Sequence, residues 1–257
     1  MKLGLMSLMS TQNIIDDIKF AIENNFNAFE MGLDWEQNWD LKPKTLDSIK
    51  KLSKENDIHL NVHSAYFLAT SAIYPTVRET VIKILKSNIA MAKKVGSRHI
   101  TVHPGYKESI IKEKNYEALI KTLKEVVKFG KKFDVNIGLE NHANLQSPCF
   151  YVNDLLKIIN SVEGLKITLD VGHVNLTGMS FPEYYGKIKD FVNDVHVHDN
   201  DGTSDQHKCI GEGNIDFRPI LKELKKNNYD GPFILEIFNY EKLIKGKDNF
   251  LRIWNKV

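Results

Sequence analysis

At 257 residues the chain has the length of one α/β barrel rather than of two domains with separate cores. Hydrophobic residues make up 42% and charged residues 26%, an ordinary soluble globular balance. Lys+Arg 35 against Asp+Glu 33 leaves a formal charge of +2, so composition neither demands a nucleic-acid partner nor excludes one. Lysines such as Lys121, Lys124, Lys128, Lys131 and Lys132 read as a solvated helix face. Cys149 and Cys209, far apart and without partner spacing, suit a reducing interior and form neither a disulfide framework nor a zinc knuckle. The opening MKLGLMSLMS lacks a cleavage site, and no run approaches ~20 apolar residues. The expectation is a cytoplasmic protein with no membrane partner.

Short apolar strands alternate with amphipathic segments along the whole chain. The strands are expected at Leu3–Met6, Ala28–Met31, His59–His63, His99–His103, Asn136–Glu140, Leu165–Asp170, Val192–His198 and Pro232–Ile237. Pro43 and Pro182 mark first helical turns, and Asn56-Asp57 and Asn227-Asn228 mark helix ends. In the helix before the fourth strand, Val77, Val81, Ile84, Leu85, Met91, Ala92 and Val95 form one apolar face, closed by Gly96. Strand–helix repetition with short connections implies parallel pairing and right-handed crossovers, and eight such units close into a (β/α)₈ TIM barrel. No linker or compositional shift divides residues 1–257, which read as a single domain. An open doubly wound sheet would carry a glycine-rich turn after its first strand, and Leu5-Met6-Ser7-Leu8 is not one.

Alternation along a barrel strand separates inward from outward side chains. His59, Asn61 and His63 share one face against Leu60 and Val62, and His99, Thr101 and His103 oppose Ile100 and Val102. Gly138 and Glu140, Thr168 and Asp170, His196 and His198, and Ile234 and Glu236 continue the pattern. The apolar members must meet the helices, so the polar ones face the axis, with strand-end residues at the C-terminal mouth. His63, His103, Glu140, Asp170, His196 and Glu236 thereby converge. Clustered carboxylates need positive charge, no inward Arg or Lys supplies it, and divalent metal ions are the economical answer. Nitrogen with carboxylate oxygen suits Zn²⁺ first, with Mn²⁺, Fe²⁺ or Co²⁺ as alternatives. His173, in Asp170-Val-Gly-His173, and Asp205-Gln-His207 add rim ligands, enough in total for two or three ions. His59 and His99 read instead as hydrogen-bonded interior residues.

The motifs NVHSAYF, TVHPG, GLENHA, TLDVGH, HVHDNDG, SDQHKCIGEGNIDF and ILEIF resemble the xylose isomerase-like barrel superfamily, which includes endonuclease IV (AP endonuclease family 2) and many sugar and sugar-phosphate isomerases and epimerases. By that resemblance His63, His103 and Glu140 hold one zinc. Glu140, Asp170, His196 and Glu236 hold a second, and His173, Asp205 and His207 a third. His196 takes the ligand position, leaving His198 beside it among the substrate-binding residues.

Two reactions follow from the resemblance. In the first, favoured one, the enzyme is a metal-dependent isomerase or epimerase of a sugar or sugar phosphate. Glu140 and Glu236 are its acid/base pair around an enediolate, and Trp35, Trp39, Tyr66 and Phe67 wall the substrate. The second is a trinuclear-zinc phosphodiesterase cutting DNA at abasic sites. The acidic loop GLDWEQNWD, lacking the nuclease's arginine, and DVGH in place of Asp-Thr-Cys-His weigh towards the sugar enzyme. Metal count separates them, three zincs indicating the nuclease and one Mn²⁺ or Co²⁺ the isomerase. A catalytically idle barrel would leave the aligned ligands unexplained. Lys107 and Arg218 read as surface charge rather than phosphate contacts.

Overall fold

The computed structural model describes residues 1–7, 13–33, 38–39 and 41–257. Eight parallel strands close into a barrel in chain order: β1 (Lys2–Met6), β2 (Ala28–Gly32), β3 (His59–His63), β4 (His99–Val102), β5 (Asn136–Glu140), β6 (Lys166–Asp170), β7 (Val192–Val197) and β8 (Pro232–Leu235). Closure comes from β1 against β8, where Leu3 lies opposite Phe233. Helices α1 (Ile14–Glu23), α2 (Pro43–Glu55), α3 (Pro75–Val95), α4 (Lys112–Phe133), α5 (Val152–Ser161), α6 (Val171–Leu176), α7 (Phe181–Ile188), α8 (Phe217–Lys226) and α9 (Tyr240–Trp254) surround it. The expected strands are all present, with ends shifted by one or two residues. β4 and β8 stop short of His103 and Glu236, although the Glu236 amide still donates to the Val197 carbonyl at 3.1 Å.

The alternation holds. Val62, Ile100, Val102, Ile137, Leu139, Ile167, Leu169, Val195, Val197, Phe233 and Leu235 are buried in the layer between barrel and helices. Inside the barrel, Met6, Ala28 and Ile234 make a small apolar patch. The rest of the interior is polar, with Glu30, Asn61, His99, Thr101, Thr168 and Asp194 all buried. Gly138 gives this layer its room: a Cβ there would meet His99 Cε1 and Thr168 Oγ1, both at 2.4 Å.

The punctuation follows the sequence. Pro43 opens α2, Pro182 lies in the first turn of α7, and Gly96 ends α3 in the left-handed region at φ 96°. Asp57 and Asn228, just past α2 and α8, adopt positive φ, the conformation that reverses the chain towards the next strand. The apolar face of α3 is narrower than expected. Val81, Leu85, Ile89, Ala92 and Val95 are buried, whereas Val77 and Ile84 are exposed. Ile84 instead lines a surface groove with Trp39 and Phe67. Among the described residues no helix is long and apolar enough to cross a membrane.

Candidate metal centre

At the C-terminal mouth the strand ends and the turns after them deliver groups of ligand atoms, each group within 4.8 Å: His63, His103 and Glu140; Glu140, Asp170, His196 and Glu236; and His173, His198, Asp205 and His207, with His63, His196 and Glu236 forming a further group that overlaps the first two. Glu140 belongs to the first two and joins them. Its Oε2 lies 2.7 Å from His103 Nε2 and 3.3 Å from His63 Nε2, while Oε1 lies 3.5 Å from His196 Nδ1. His196 Nδ1 also stands 3.1 Å from Glu236 Oε1. On the rim, Asp205 reaches His173 Nε2 at 3.2 Å and His207 Nε2 at 3.3 Å.

The local backbone explains how the rim ligands are aimed. Asp170 ends β6 and caps α6, its Oδ1 accepting the His173 amide at 2.6 Å. His173 thus sits in a helical turn rather than on the expected loop. Asn141 braces Asp170 from β5's end, donating to its carbonyl at 2.9 Å and accepting its amide at 2.8 Å. His173 Nδ1 donates to the Asn141 carbonyl at 2.7 Å, and His207 Nδ1 to the Glu236 carbonyl at 3.0 Å. A carbonyl only accepts, so both rings carry a proton on Nδ1 and turn Nε2, the nitrogen left to bind an ion, towards Asp205. His207 holds this pose at φ 45°, a strained conformation for a side chain of its size. Asp199, just past β7, anchors the loop: its carboxylate accepts the amides of Gly211 at 2.8 Å, Gly213 at 2.9 Å and Ile215 at 3.3 Å.

The electrostatics match a cation site. Burial alone would raise Glu140, but His103, His196 and His63 outweigh it and hold the carboxyl well below the usual range. Burial would also raise Asp170, yet His173 and His198 bring it to about 2. Burial pushes the His207 imidazole down, while Asp205 and Glu236 overcome this and raise it to about 9. The same opposition raises His173 through Asp170 and Asp205, and His196 through Glu236 and Glu30. Protons on these rings thus stand where a divalent cation would balance the carboxylates. His103 Nδ1, His196 Nδ1 and Asp170 Oδ2 are buried without a hydrogen-bond partner among the described residues. The donor set is nitrogen and carboxylate oxygen in clusters of three or four, which fits Zn²⁺ or Mn²⁺.

The ligands floor a cavity of about 360 Å³, walled by Met6, Tyr66, Tyr106, His142 and Phe238. Among the described residues no Lys or Arg lines it. Of the expected substrate wall, Tyr66 is in place, its ring 6.5 Å from His103. Phe67 turns away to pack on Trp39 at 5.8 Å, in the neighbouring groove. Trp35 lies outside the described residues. His198 is wholly buried, 3.2 Å from Asp170 Oδ1 and 3.4 Å from Asp205 Oδ1, and stacks on His207 at 4.0 Å. This puts it with the rim ligands and not on the cavity wall. Gly172 lets it fit there, since a Cβ would meet its ring at 2.1 Å. Lys107 Nζ donates to Leu145 O at 2.7 Å, and Arg218 is exposed and paired with Asp216 at 2.9 Å.

Four residues escaped the sequence reading. Glu30 is an inward position of β2, where the alternation was not applied, and Asp194 lies two residues before His196 on the same face. His142 and Tyr106 come from loops, where no periodicity announces orientation. His142 Nδ1 accepts the Asn144 amide at 3.0 Å, so this cavity-lining ring presents its Nε2–H. His59 and His99 are interior or base residues as expected; His99 Nδ1 accepts from Asn193 at 3.1 Å and Nε2 donates to Thr168 at 3.1 Å.

A family model described as a xylose isomerase-like TIM barrel matches residues 18–253. The chain is 30% identical to the uncharacterized protein MJ1311 of Methanocaldococcus jannaschii, covering 100% of this chain and 91% of that one. It is 27% identical to a probable endonuclease 4 of Shouchella clausii, over 68% of this chain and 66% of the relative. Among solved structures, a D-tagatose 3-epimerase-like protein superposes with a TM-score of 0.91 at 29% identity, covering 100% of this chain and 99% of that chain. A D-psicose 3-epimerase from Clostridium cellulolyticum shares the fold, with a TM-score of 0.84 at 16% identity, over 100% of this chain and 99% of that one. The barrel, the ligand geometry and the match along nearly its whole length agree: the chain belongs to the xylose isomerase-like TIM-barrel family.

Proposed function

We propose that the protein is a divalent-metal-dependent isomerase or epimerase of a sugar. The observation that carries this reading is the pairing of Glu140 and Glu236 around His196 Nδ1 at the floor of a cavity of about 360 Å³ that no Lys or Arg lines among the described residues. That volume is at the small end of small-molecule sites. Glu140, Asp170, His196 and Glu236 would hold the central ion, which when bound supplies Lewis acidity to a substrate carbonyl and its neighbouring hydroxyl. Glu140 and Glu236 come from β5 and β8, separate strands of the barrel. One takes the proton from the carbon beside the carbonyl; return by the other inverts that carbon, and return to the adjacent carbon moves the carbonyl. His142 offers a fixed Nε2–H donor to a substrate oxygen, and Tyr66, Tyr106 and Phe238 keep water from the reacting carbon. The resemblance to a D-tagatose 3-epimerase-like protein along the whole chain supports this choice.

The test is proton exchange in deuterated water. Purified protein loaded with Mn²⁺, Co²⁺ or Zn²⁺ should introduce deuterium beside the carbonyl of at least one member of a ketose and aldose panel. Absence of exchange and of interconversion across the panel sinks the reading.

The rim group His173, Asp205 and His207 favours a second reading, because it adds a complete third site beyond the central ion. Together with relatives named as endonuclease 4 it supports a zinc phosphodiesterase acting on abasic DNA. Against it, the described cavity wall carries no Lys or Arg to grip a duplex backbone. Incubation of the zinc-loaded protein with an abasic duplex decides it: uncut DNA at full occupancy eliminates the nuclease.

A further inference from the structure

Below the metal centre, two fully buried carboxylates face His196 from inside the barrel: Glu30 on β2 and Asp194 on β7. They lie below the groups of the mouth and form a group of their own with His196, their oxygens and its ring nitrogen within 4.8 Å of one another. Glu30 Oε1 accepts the Thr101 hydroxyl at 3.1 Å, and its Oε2 lies 2.9 Å from His196 Nε2. The next acceptor near Nε2, Asp194 Oδ2, is 3.9 Å away and is already engaged by the Asn61 amide. Nδ1 is the nitrogen that faces the other ligands of the central group, so an ion held there would take the Nδ1 lone pair and leave the ring proton on Nε2, against the Glu30 carboxylate. The lone pair of His196 then belongs to Nδ1, on the side that faces Glu236 Oε1 at 3.1 Å and Glu140 Oε1 at 3.5 Å.

We infer that Glu30 is a positioning residue: it fixes His196 as the Nε2–H tautomer and aims Nδ1 into the central metal site. The inference rests on the metal-centre reading. It gives His196 the same arrangement that His173 and His207 have, with one change. Their outer nitrogens are held by backbone carbonyls, whereas His196 is held by a full negative charge. A charged partner makes the ring a stronger electron donor to its ion than a carbonyl does. Thr101 in turn limits the rotation of the Glu30 carboxylate, so the chain of contact runs Thr101–Glu30–His196 from β4 through β2 to β7.

The experiment compares wild type with Glu30→Gln, Glu30→Ala and Glu30→Asp. In Glu30→Gln the amide can take the Thr101 bond through its oxygen and offer N–H to His196, which favours the opposite tautomer. Zn²⁺ affinity is read by competition with a chromophoric chelator, the Co²⁺ form by its visible spectrum, and the His196 tautomer by ¹⁵N NMR of the ring. The expected result is a 10–100-fold loss of affinity at one ion per chain in Glu30→Gln and Glu30→Ala, partly restored in Glu30→Asp. The ion at His173, Asp205 and His207 should hold, the Co²⁺ spectrum should change, and the Nε2–H signal should be lost. Wild-type affinities and spectrum in Glu30→Gln overturn the inference, as does an ion located between Glu30 and Asp194 by anomalous scattering. Should a variant be unstable, the ¹⁵N measurement on wild type stands alone: a His196 ring protonated on Nδ1 only overturns the inference. A wild type that binds no divalent ion overturns the metal centre instead, and is distinguishable because ion binding is read by chelator competition, separately from the protonation of the His196 ring.

Discussion

Glu140 touches three imidazoles of the mouth within 3.5 Å, and this shared position orders the site's sensitivity to mutation. His207→Ala removes a ligand of the rim group alone, so metal analysis should find one ion fewer per chain with the central ion retained. Glu140→Gln weakens two groups at once and should lower occupancy at both, with a loss of sugar turnover of about 10³-fold or more. Equal metal content in the two variants would contradict this division. Two other histidines report on pH. Burial lowers His99 to about 3, and burial, aided by His103 and His173, lowers His142 to about 3. In the unfolded chain each would titrate near ~6.5. Between these values the unfolded state binds more protons, so each contributes a loss of about 1.4 kcal/mol per pH unit as pH falls from 6.5 towards 3, and nothing above 6.5. Urea denaturation across this range should show the slope, and His142→Asn should make it shallower.

At the scale of elements, the strand ends were legible because a period of two sorts side chains with no further information. His63, Glu140, Asp170 and His196 needed only that rule. The helix boundaries were legible at Pro43, Gly96 and Asn227-Asn228, where backbone constraint is local. Val77 and Ile84 were misplaced since a helical stripe says which face is apolar but not what stands opposite each turn. Ile84 meets the Trp39 and Phe67 groove and so stays exposed. His198 was misjudged for a related reason: alternation puts it inward, but the space under α6 that receives it depends on Gly172, a contact made across two elements. Gly138 allows a direct check of the interior layer. Gly138→Ala forces a methyl into His99 and Thr168 and should cost about 1–3 kcal/mol in chemical denaturation. An unchanged midpoint would mean that the layer has slack.

For the whole molecule, closure of the barrel makes metal binding a property of many segments. The central and inner groups draw on β3 to β8 and the turns that follow them, so occupancy ties these strands at one end. Ligand binding to the folded state adds RT ln(1 + [L]/Kd), about 2.7 kcal/mol at a hundredfold excess over Kd. Chelator treatment should therefore lower the thermal midpoint, and re-addition of Zn²⁺ or Mn²⁺ should restore it in calorimetry. A midpoint indifferent to chelator and to added ions would show that the folded protein holds no ion and would count against the metal centre. The reaction was less legible than the fold. Most candidate ligands end strands with a fixed period, whereas the cavity wall is built from loops such as those bearing Tyr106, after β4, and His142, after β5, whose course is set by tertiary contacts.

The loop anchored by Asp199 carries a consequence of its own. Asp205 and His207 are held by one carboxylate gripping the amides of Gly211, Gly213 and Ile215, with no strand ladder in between beyond the bridge of Asp199 to Lys208. Two of the rim ligands, Asp205 and His207, therefore travel as a cartridge on an otherwise self-sufficient barrel, while His173 stays on α6. Nature or an engineer can exchange that cartridge without redrawing the strands, and one scaffold then passes between nuclearities by a single graft.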